Sequence, residues 1–171
     1  MIAQFIKGKT YVFIDASNIY HSFKKFGWKI DFVKLKKYLE KNTEAGNIYF
    51  YTAYDPYYAK QRNFLDFLEM VGYIVRKKKV KFIKNGEMEE GGFRKGNLDV
   101  ELAIDAVDNK DKFQSFVLFS GDSDFEALLK YMRAHKKFCV VISTRDHVAI
   151  ELLQQAKFIE LKKLREEVEL K

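Results

Sequence analysis

Phe116-Val117-Leu118-Phe119-Ser120-Gly121-Asp122-Ser123-Asp124-Phe125 is the stretch on which the fold turns. Its first four residues are all apolar, the composition of a strand buried on both faces, as in a parallel sheet. The chain turns at Ser120-Gly121 and re-emerges with Phe125, Leu128, Leu129 and Met132, the i, i+3, i+4, i+7 stripe of an amphipathic helix. Asp122 and Asp124 thus stand where a strand ends and a helix begins, the place where open α/β sheets bind ligands. Two acids one residue apart repel unless a cation lies between them, and a hard divalent ion is the usual one. Helix capping by one acid and dipole stabilisation by the other account for the same pair. On this stretch alone both accounts stand.

The pattern recurs upstream. Tyr11-Val12-Phe13-Ile14 is a second all-apolar strand and Asp15 closes it, followed by Ala16-Ser17-Asn18 and a helix carrying Ile19, Tyr20, Phe23 and Phe26. Asp, Ser and Asn are common at helix starts, which explains one such junction but not the recurrence. His21 on that helix is expected to be an ordinary, partly exposed histidine. Phe32, Leu35 and Leu39 mark a helix that ends near Asn42 to Gly46, and Ile48 to Tyr54 a third strand. Asp55 before Pro56 is expected to cap the next helix, with Pro56 at its first position, in preference to holding a metal. That helix would turn Phe64, Leu65, Phe67 and Leu68 inward and end at Val71-Gly72.

Asn97 to Asp108 contains the most informative acid. At 100° per residue, Leu98, Leu102, Ala106, Ala103, Val107, Val100 and Ile104 form one apolar arc, with Glu101, Asp105 and Asp108 on the other side. Asp99 falls inside the apolar arc. A carboxylate there is costly without a partner or a metal. Asp105 lies on the polar side, where a solvated face is the simpler account.

Tyr73-Ile74-Val75 opens a fourth strand that runs into Arg76, Lys77, Lys78, Lys79, Lys81 and Lys84. Asn85-Gly86 is a strong hairpin signal, and a two-residue turn there sets Lys84 against Glu87 and Lys81 against Glu90. Arg76 to Lys79 are left unpaired by that scheme. They suit a lysine-protected edge strand and RNA contact equally. Gly91-Gly92 to Gly96 then reads as a flexible connector carrying Arg94 and Lys95. Phe138 to Ile142 is a further strand ending in Ser143-Thr144-Arg145, followed by a helix from Val148 to Gln155 and a short strand at Phe158 to Leu161. Leu161, Leu164 and Val168 have helical spacing, so the tail from 162 to 171 packs on the domain or serves a homodimer.

The bulk properties bound the function classes. A chain of 171 residues makes one domain, here residues 1–161 plus the tail, able to bury a core without staples. No apolar run approaches the roughly 20 residues of a membrane span. Met1 to Lys7 is too short and wrongly ordered for a secretory signal. The single cysteine, Cys139, excludes an internal disulfide and sits in an apolar run, so a reducing cytoplasm is the expected setting. With 31 Lys and Arg against 24 Asp and Glu the net charge is +7, which favours an anionic partner. No Ser-His-Asp or Cys-His grouping and no Walker lysine loop is present. Asp15-Ala16-Ser17 lacks the second acid of an aspartate-phosphorylating phosphatase.

Three blocks carry a resemblance: Phe13-Ile14-Asp15-Ala16-Ser17-Asn18, Lys95-Gly96-Asn97-Leu98-Asp99-Val100-Glu101-Leu102-Ala103-Ile104-Asp105 and Ser120-Gly121-Asp122-Ser123-Asp124-Phe125. In order and content they resemble the signature blocks of the NYN domain, more narrowly its LabA-like (DUF88) branch, a relative of PIN-domain nucleases. The resemblance implies a Rossmann-like three-layer α/β/α sandwich with a central, mainly parallel sheet; the hairpin around 79–93 would be an insertion outside the signature. It also implies metal-dependent RNA cleavage with Mg²⁺ or Mn²⁺ held by Asp15, Asp99, Asp122 and Asp124. Asp105 would be an additional acid, and Asn18 and Ser120 would support the cluster by hydrogen bonds. Lys95, Arg94 and Arg145 are then candidates for neutralising phosphate, with Arg76, Lys77, Lys78 and Lys79 as further RNA contacts. Two other readings accompany this one. One is an RNA-binding or regulatory module with a structural or vestigial acidic site. The other is a metal-dependent nuclease or phosphatase acting on DNA or nucleotides.

Overall fold

Strands β1 (Lys9–Asp15) and β6 (Ser115–Phe119) lie side by side at the centre of the sheet, buried on both faces. A computed structural model describes residues 1–20, 27–84, 92–95 and 97–171, and the side chains of all these except 81–84 and 92–95. His21, Phe23, Phe26, Asn85-Gly86, Glu87, Glu90, Gly91 and Gly96 lie outside the described residues, as do the side chains of Arg94 and Lys95.

The main sheet has six strands. β2 (Glu44–Tyr54) and β3 (Ile74–Lys79) extend it on one side of β1, and β7 (Phe138–Ser143) and β8 (Lys157–Glu160) on the other side of β6. The order β3-β2-β1-β6-β7-β8 is parallel throughout. The expected parallel α/β architecture is therefore present. The strand order reverses between β1 and β6, so the crevice beyond their carboxyl ends is the topological switch point.

Alternation explains why these strands are apolar without interruption. Val12, Ile14, Val117, Phe119, Val140 and Ile142 face one core, and Tyr11, Phe13, Phe116, Leu118 and Val141 face a second. The described helical residues 16–20 are α1; the first core is covered by α2 (Phe32–Asn42) and α3 (Ala59–Val71), the second by α4 (Asp99–Asp108), α5 (Glu126–Ala134) and α6 (Ile150–Gln155). Phe13, fully buried, stacks on Tyr49 at 5.1 Å and meets Phe116 at 4.9 Å. Truncating such a side chain to alanine costs about 3–5 kcal/mol, several times the worth of an exposed ion pair. Packing, not surface charge, holds this fold.

The tail seats on its own domain. Leu161, Leu164 and Val168 are buried, and Asp31 and Leu170 form backbone hydrogen bonds to Val168 and Lys29. Cys139 is buried in the second core, and burial pushes its thiol up to about 12.

Three local expectations are corrected. Asp55 does not cap a helix: Tyr58 N donates to its carbonyl in a turn led by Pro56, and α3 starts at Ala59. Pro56 is the second of the four turn residues 55–58, a position that suits proline in a β-turn as well as the first position of a helix does. Phe67 points outward, because α3 buries only Leu65 and Leu68 in full. In the hairpin, β4 (Lys81–Lys84) pairs with β5 (Gly92–Lys95) so that Lys84 faces Gly92 and Lys81 faces Lys95. This register differs from the one predicted from Asn85-Gly86, whose Glu87 and Glu90 lie outside the described residues. The Asn-Gly signal is local, whereas register is set by the strands as a whole.

Candidate metal centre

Register brings the first acid into place. Ile14 of β1 pairs with Phe119 of β6, so the next residues, Asp15 and Ser120, emerge together at the carboxyl edge. Ser120 Oγ donates to Asp15 Oδ2 at 3.0 Å and accepts from Asp122 N at 3.2 Å. The other Asp15 oxygen accepts from Ser17 N and Ser17 Oγ at 3.0 and 2.6 Å. Asp15 is buried and is held from both sides.

Each acidic segment is also shaped by its own side chains. Asp15 Oδ1 accepts from Ser17 N, Asn97 Oδ1 from Asp99 N at 3.3 Å, and Asp122 Oδ1 from Asp124 N at 3.0 Å. All three are side-chain bonds to the backbone two residues on, the preferred local geometry of Asp and Asn. Asp122 is thus a true cap of the short 3-10 turn Ser123–Phe125. One oxygen is used for capping; capping and a ligand role are compatible.

Oxygens of Asp99, Asp122 and Asp124 all lie within 4.8 Å of one another. Asp122 and Asp124 are exposed and Asp99 is half-buried at the start of α4. Burial, and then the charges of Asp15, Asp122 and Asp124, push Asp99 up to about 6. Asn97 Nδ2 also donates to Asp99 Oδ2. Asp15 stands outside this trio, yet it lines the same cleft of about 170 Å³ as Asp99, with Tyr20, Tyr51 and Gln61 on its walls. An all-oxygen set of carboxylates facing one another suits a hard divalent cation.

The helical-wheel argument for Asp99 needs correction. Val100 and Ile104 are 66% and 54% exposed, so the apolar face of α4 is the narrower stripe Leu98, Leu102 and Ala106. Asp99 is set apart first by its partial burial and then by its carboxylate neighbours.

Asp105 is not on a solvated face. Its Oδ2 accepts from Tyr51 OH at 2.9 Å and from Arg76 Nε at 2.8 Å. The structure does not bring it into the trio. Burial and the Asp105 charge push the Tyr51 hydroxyl far up, so it remains a donor. Arg76, Lys77 and Lys78 are likewise not unpaired. Lys78 Nζ meets Glu101 at 2.7 Å and Lys77 Nζ meets Glu69 at 3.3 Å. Residues two apart on a strand are separated by about 6.6 Å and residues four apart on a helix by about 6 Å. Arg76 and Lys78 on β3 therefore match Asp105 and Glu101 on α4. Lys79 lies over the Tyr57 ring at 5.8 Å.

The remaining support residues sit at the same edge. Ser143 Oγ donates to Asn18 Oδ1 at 3.2 Å, tying the end of β7 to the helical residues 16–20. Arg145 is 81% exposed and stands 3.9 Å from Glu160. A Cβ on Gly121 would collide with the His147 carbonyl oxygen, so only glycine allows this close approach of two loops. Sequence reasoning missed Ser17 and Asn97. Their signal was a polar residue two positions from an acid.

Comparison with known proteins matches this picture. A profile of the NYN domain matches residues 9–162. The chain is 34% identical over 162 residues to the "Low amplitude and bright protein LabA" of Synechococcus elongatus, covering 92% of this chain and 86% of that protein. A solved structure of a protein of unknown function from Vibrio parahaemolyticus superimposes with a TM-score of 0.76 at 22% identity, covering 96% of this chain and 97% of that one. At that identity the likeness speaks for the fold alone.

Proposed function

The chain belongs to the NYN domain family, and from that premise we propose that it is a divalent-metal-dependent endoribonuclease whose centre is the acidic cluster at the switch point. The observation that carries this reading is the convergence of Asp99, Asp122 and Asp124 from α4 and the β6–α5 turn, with oxygens within 4.8 Å. Three carboxylates brought that close repel one another, as the raised Asp99 records, and a bound cation relieves the repulsion. These three would hold Mg²⁺ or Mn²⁺, with Asp15 adding charge from the same cleft. Such an ion supplies Lewis-acid polarisation of a scissile phosphate and activation of a water.

The chain's own groups prepare that chemistry. Ser17 and Ser120 fix both oxygens of Asp15, so its charge faces the cleft in one orientation. Asn97 orients Asp99, and the bond from Asp122 N to Ser120 couples the two acidic strand ends. Above pH 6 Asp99 loses its proton and completes the anionic set. Phosphate approaching this edge would meet Lys79 and Arg145, the latter largely exposed. Arg94 and Lys95 belong to the same proposal from sequence. Arg76, Lys77 and Lys78 contribute less to RNA contact, because α4 and α3 already neutralise them.

The test is cleavage of single-stranded and structured RNA, with DNA and nucleotide controls, in Mn²⁺, Mg²⁺ or EDTA. Wild type is expected to cut RNA only with metal, and Asp122→Asn to lose at least a hundredfold. Equal activity of wild type and Asp122→Asn would refute the assignment.

A further inference from the structure

A sizeable cavity lies at the other end of the sheet. Its volume is about 480 Å³, and it opens between the N-terminal segment at Phe5 to Lys7, the end of α5, the start of β7 and the α6–β8 junction. β7 spans six residues, about 17 Å, from Phe138 at this cavity to Ser143 beside the acidic centre. The two sites are therefore separate.

The charge around this cavity is one-sided. Lys7, Arg133, Lys137 and Lys157 line it, and no lining residue is acidic. Arg76, Lys78, Lys130 and Arg165 elsewhere on the chain find carboxylates; among the described residues none of the four cations lining this cavity does. Neutral groups meet two of them: Arg133 Nη1 donates to Gln155 Oε1 at 2.8 Å, and Lys137 Nζ to the Phe113 carbonyl at 2.8 Å. Lys7 Nζ stands over the Phe138 ring at 5.4 Å. The Gln155 contact fixes the Arg133 guanidinium while leaving its charge and further donors available. Four positive charges around one concavity repel one another, and an anion seated among them turns that repulsion into attraction.

The remaining walls select among anions. Phe5, Ile6 and Leu153 are apolar, and Phe138 presents a 40% exposed ring. The volume lies in the range of small-molecule sites and is several times what a bare phosphate fills. A cationic rim beside apolar and aromatic surface suits a phosphate carrying a flat ring. We propose that this cavity binds a phosphorylated nucleotide, either a free mononucleotide or the 5′-phosphorylated end of an RNA strand, at a site distinct from the acidic centre.

Calorimetric titration of the full chain with 5′-AMP in EDTA tests this without involving the metal centre. One saturable site is expected, weakening between 50 and 200 mM salt, with adenosine failing to bind. The double variant Arg133→Gln/Lys157→Gln is expected to weaken binding at least tenfold with unchanged melting, since both side chains are exposed. Lys7→Gln should act in the same direction. Competition by a 5′-phosphorylated but not a 5′-hydroxyl oligonucleotide assigns the RNA end, and competition by mononucleotides alone assigns the free nucleotide. Absence of saturable binding, or affinity unchanged in both variants, would overturn the proposal.

Discussion

The hydroxyl of Ser120 donates to Oδ2 of Asp15 at 3.0 Å, joining the ends of the two central strands. Both residues are buried, and the same hydroxyl accepts from the Asp122 backbone. Ser120→Ala removes the contact without adding bulk. It should cost about 1–3 kcal/mol, because a buried carboxylate oxygen loses its donor. Metal affinity should fall roughly 10–100-fold, the usual consequence of deleting a group that orients the ligands. Denaturant melts and Mn²⁺ titration measure the two effects separately.

Asp99 sets a pH dependence with a definite sign. Its folded-state value near 6 lies above the ordinary 3.8, so the folded chain binds more protons between those values. The metal-free protein should therefore lose stability as pH rises from about 4 to about 6, and Asp99 contributes a constant penalty above that. Asp99→Asn should raise the melting temperature of the metal-free protein at pH 8 and have little effect near pH 4. The same change should abolish Mn²⁺ binding. In wild type, Mn²⁺ affinity should fall below pH 6 as protons compete for the carboxylate.

Asp105 separates structure from chemistry. It anchors Tyr51 and Arg76 rather than joining the trio. Asp105→Ala should destabilise by about 1–3 kcal/mol, since the largely buried Tyr51 hydroxyl loses its partner. Mn²⁺ affinity should stay within about twofold. Pairing it with Tyr51→Phe should cost less than the sum of the two, because the single change strands a hydroxyl that the double change removes. Loss of Mn²⁺ binding in a folded Asp105→Ala protein would place Asp105 among the ligands.

Gly121→Ala should be severe. The added methyl has no room beside the His147 carbonyl, and Ala149 N donates to the Gly121 carbonyl at 2.9 Å. Either the β6–α5 turn or the 144–149 loop must move. A large drop in melting temperature and loss of Mn²⁺ binding are expected together, read by circular dichroism and titration.

Much of this arrangement is legible in local sequence because it rests on local causes. The all-apolar runs at Tyr11 to Ile14 and Phe116 to Phe119 announce strands buried on both faces, and those strands carry Asp15 and Ser120 to one edge. Asp122 and Asp124 follow from the strand–helix junction. What escaped depends on packing between distant segments. Arg76 and Lys78 look like unpaired cations until β3 lies against α4, where strand and helix spacing coincide. Val100 and Ile104 look like core until α4 is seen to pack through only Leu98, Leu102 and Ala106. The hairpin at β4 and β5 follows strand register rather than its Asn-Gly pair. Asp99 stands out in sequence for its apolar setting, and the structure adds the acidic neighbours that spacing along the chain does not show.

The central claim is that Asp99, Asp122 and Asp124 form a divalent-metal centre. Crystals grown with Mn²⁺ and measured for anomalous scattering test it most directly. The account predicts a manganese peak within coordination distance of oxygens from all three residues, lost in Asp122→Asn. A well-ordered wild-type site at millimolar Mn²⁺ with no anomalous peak among these carboxylates would contradict it.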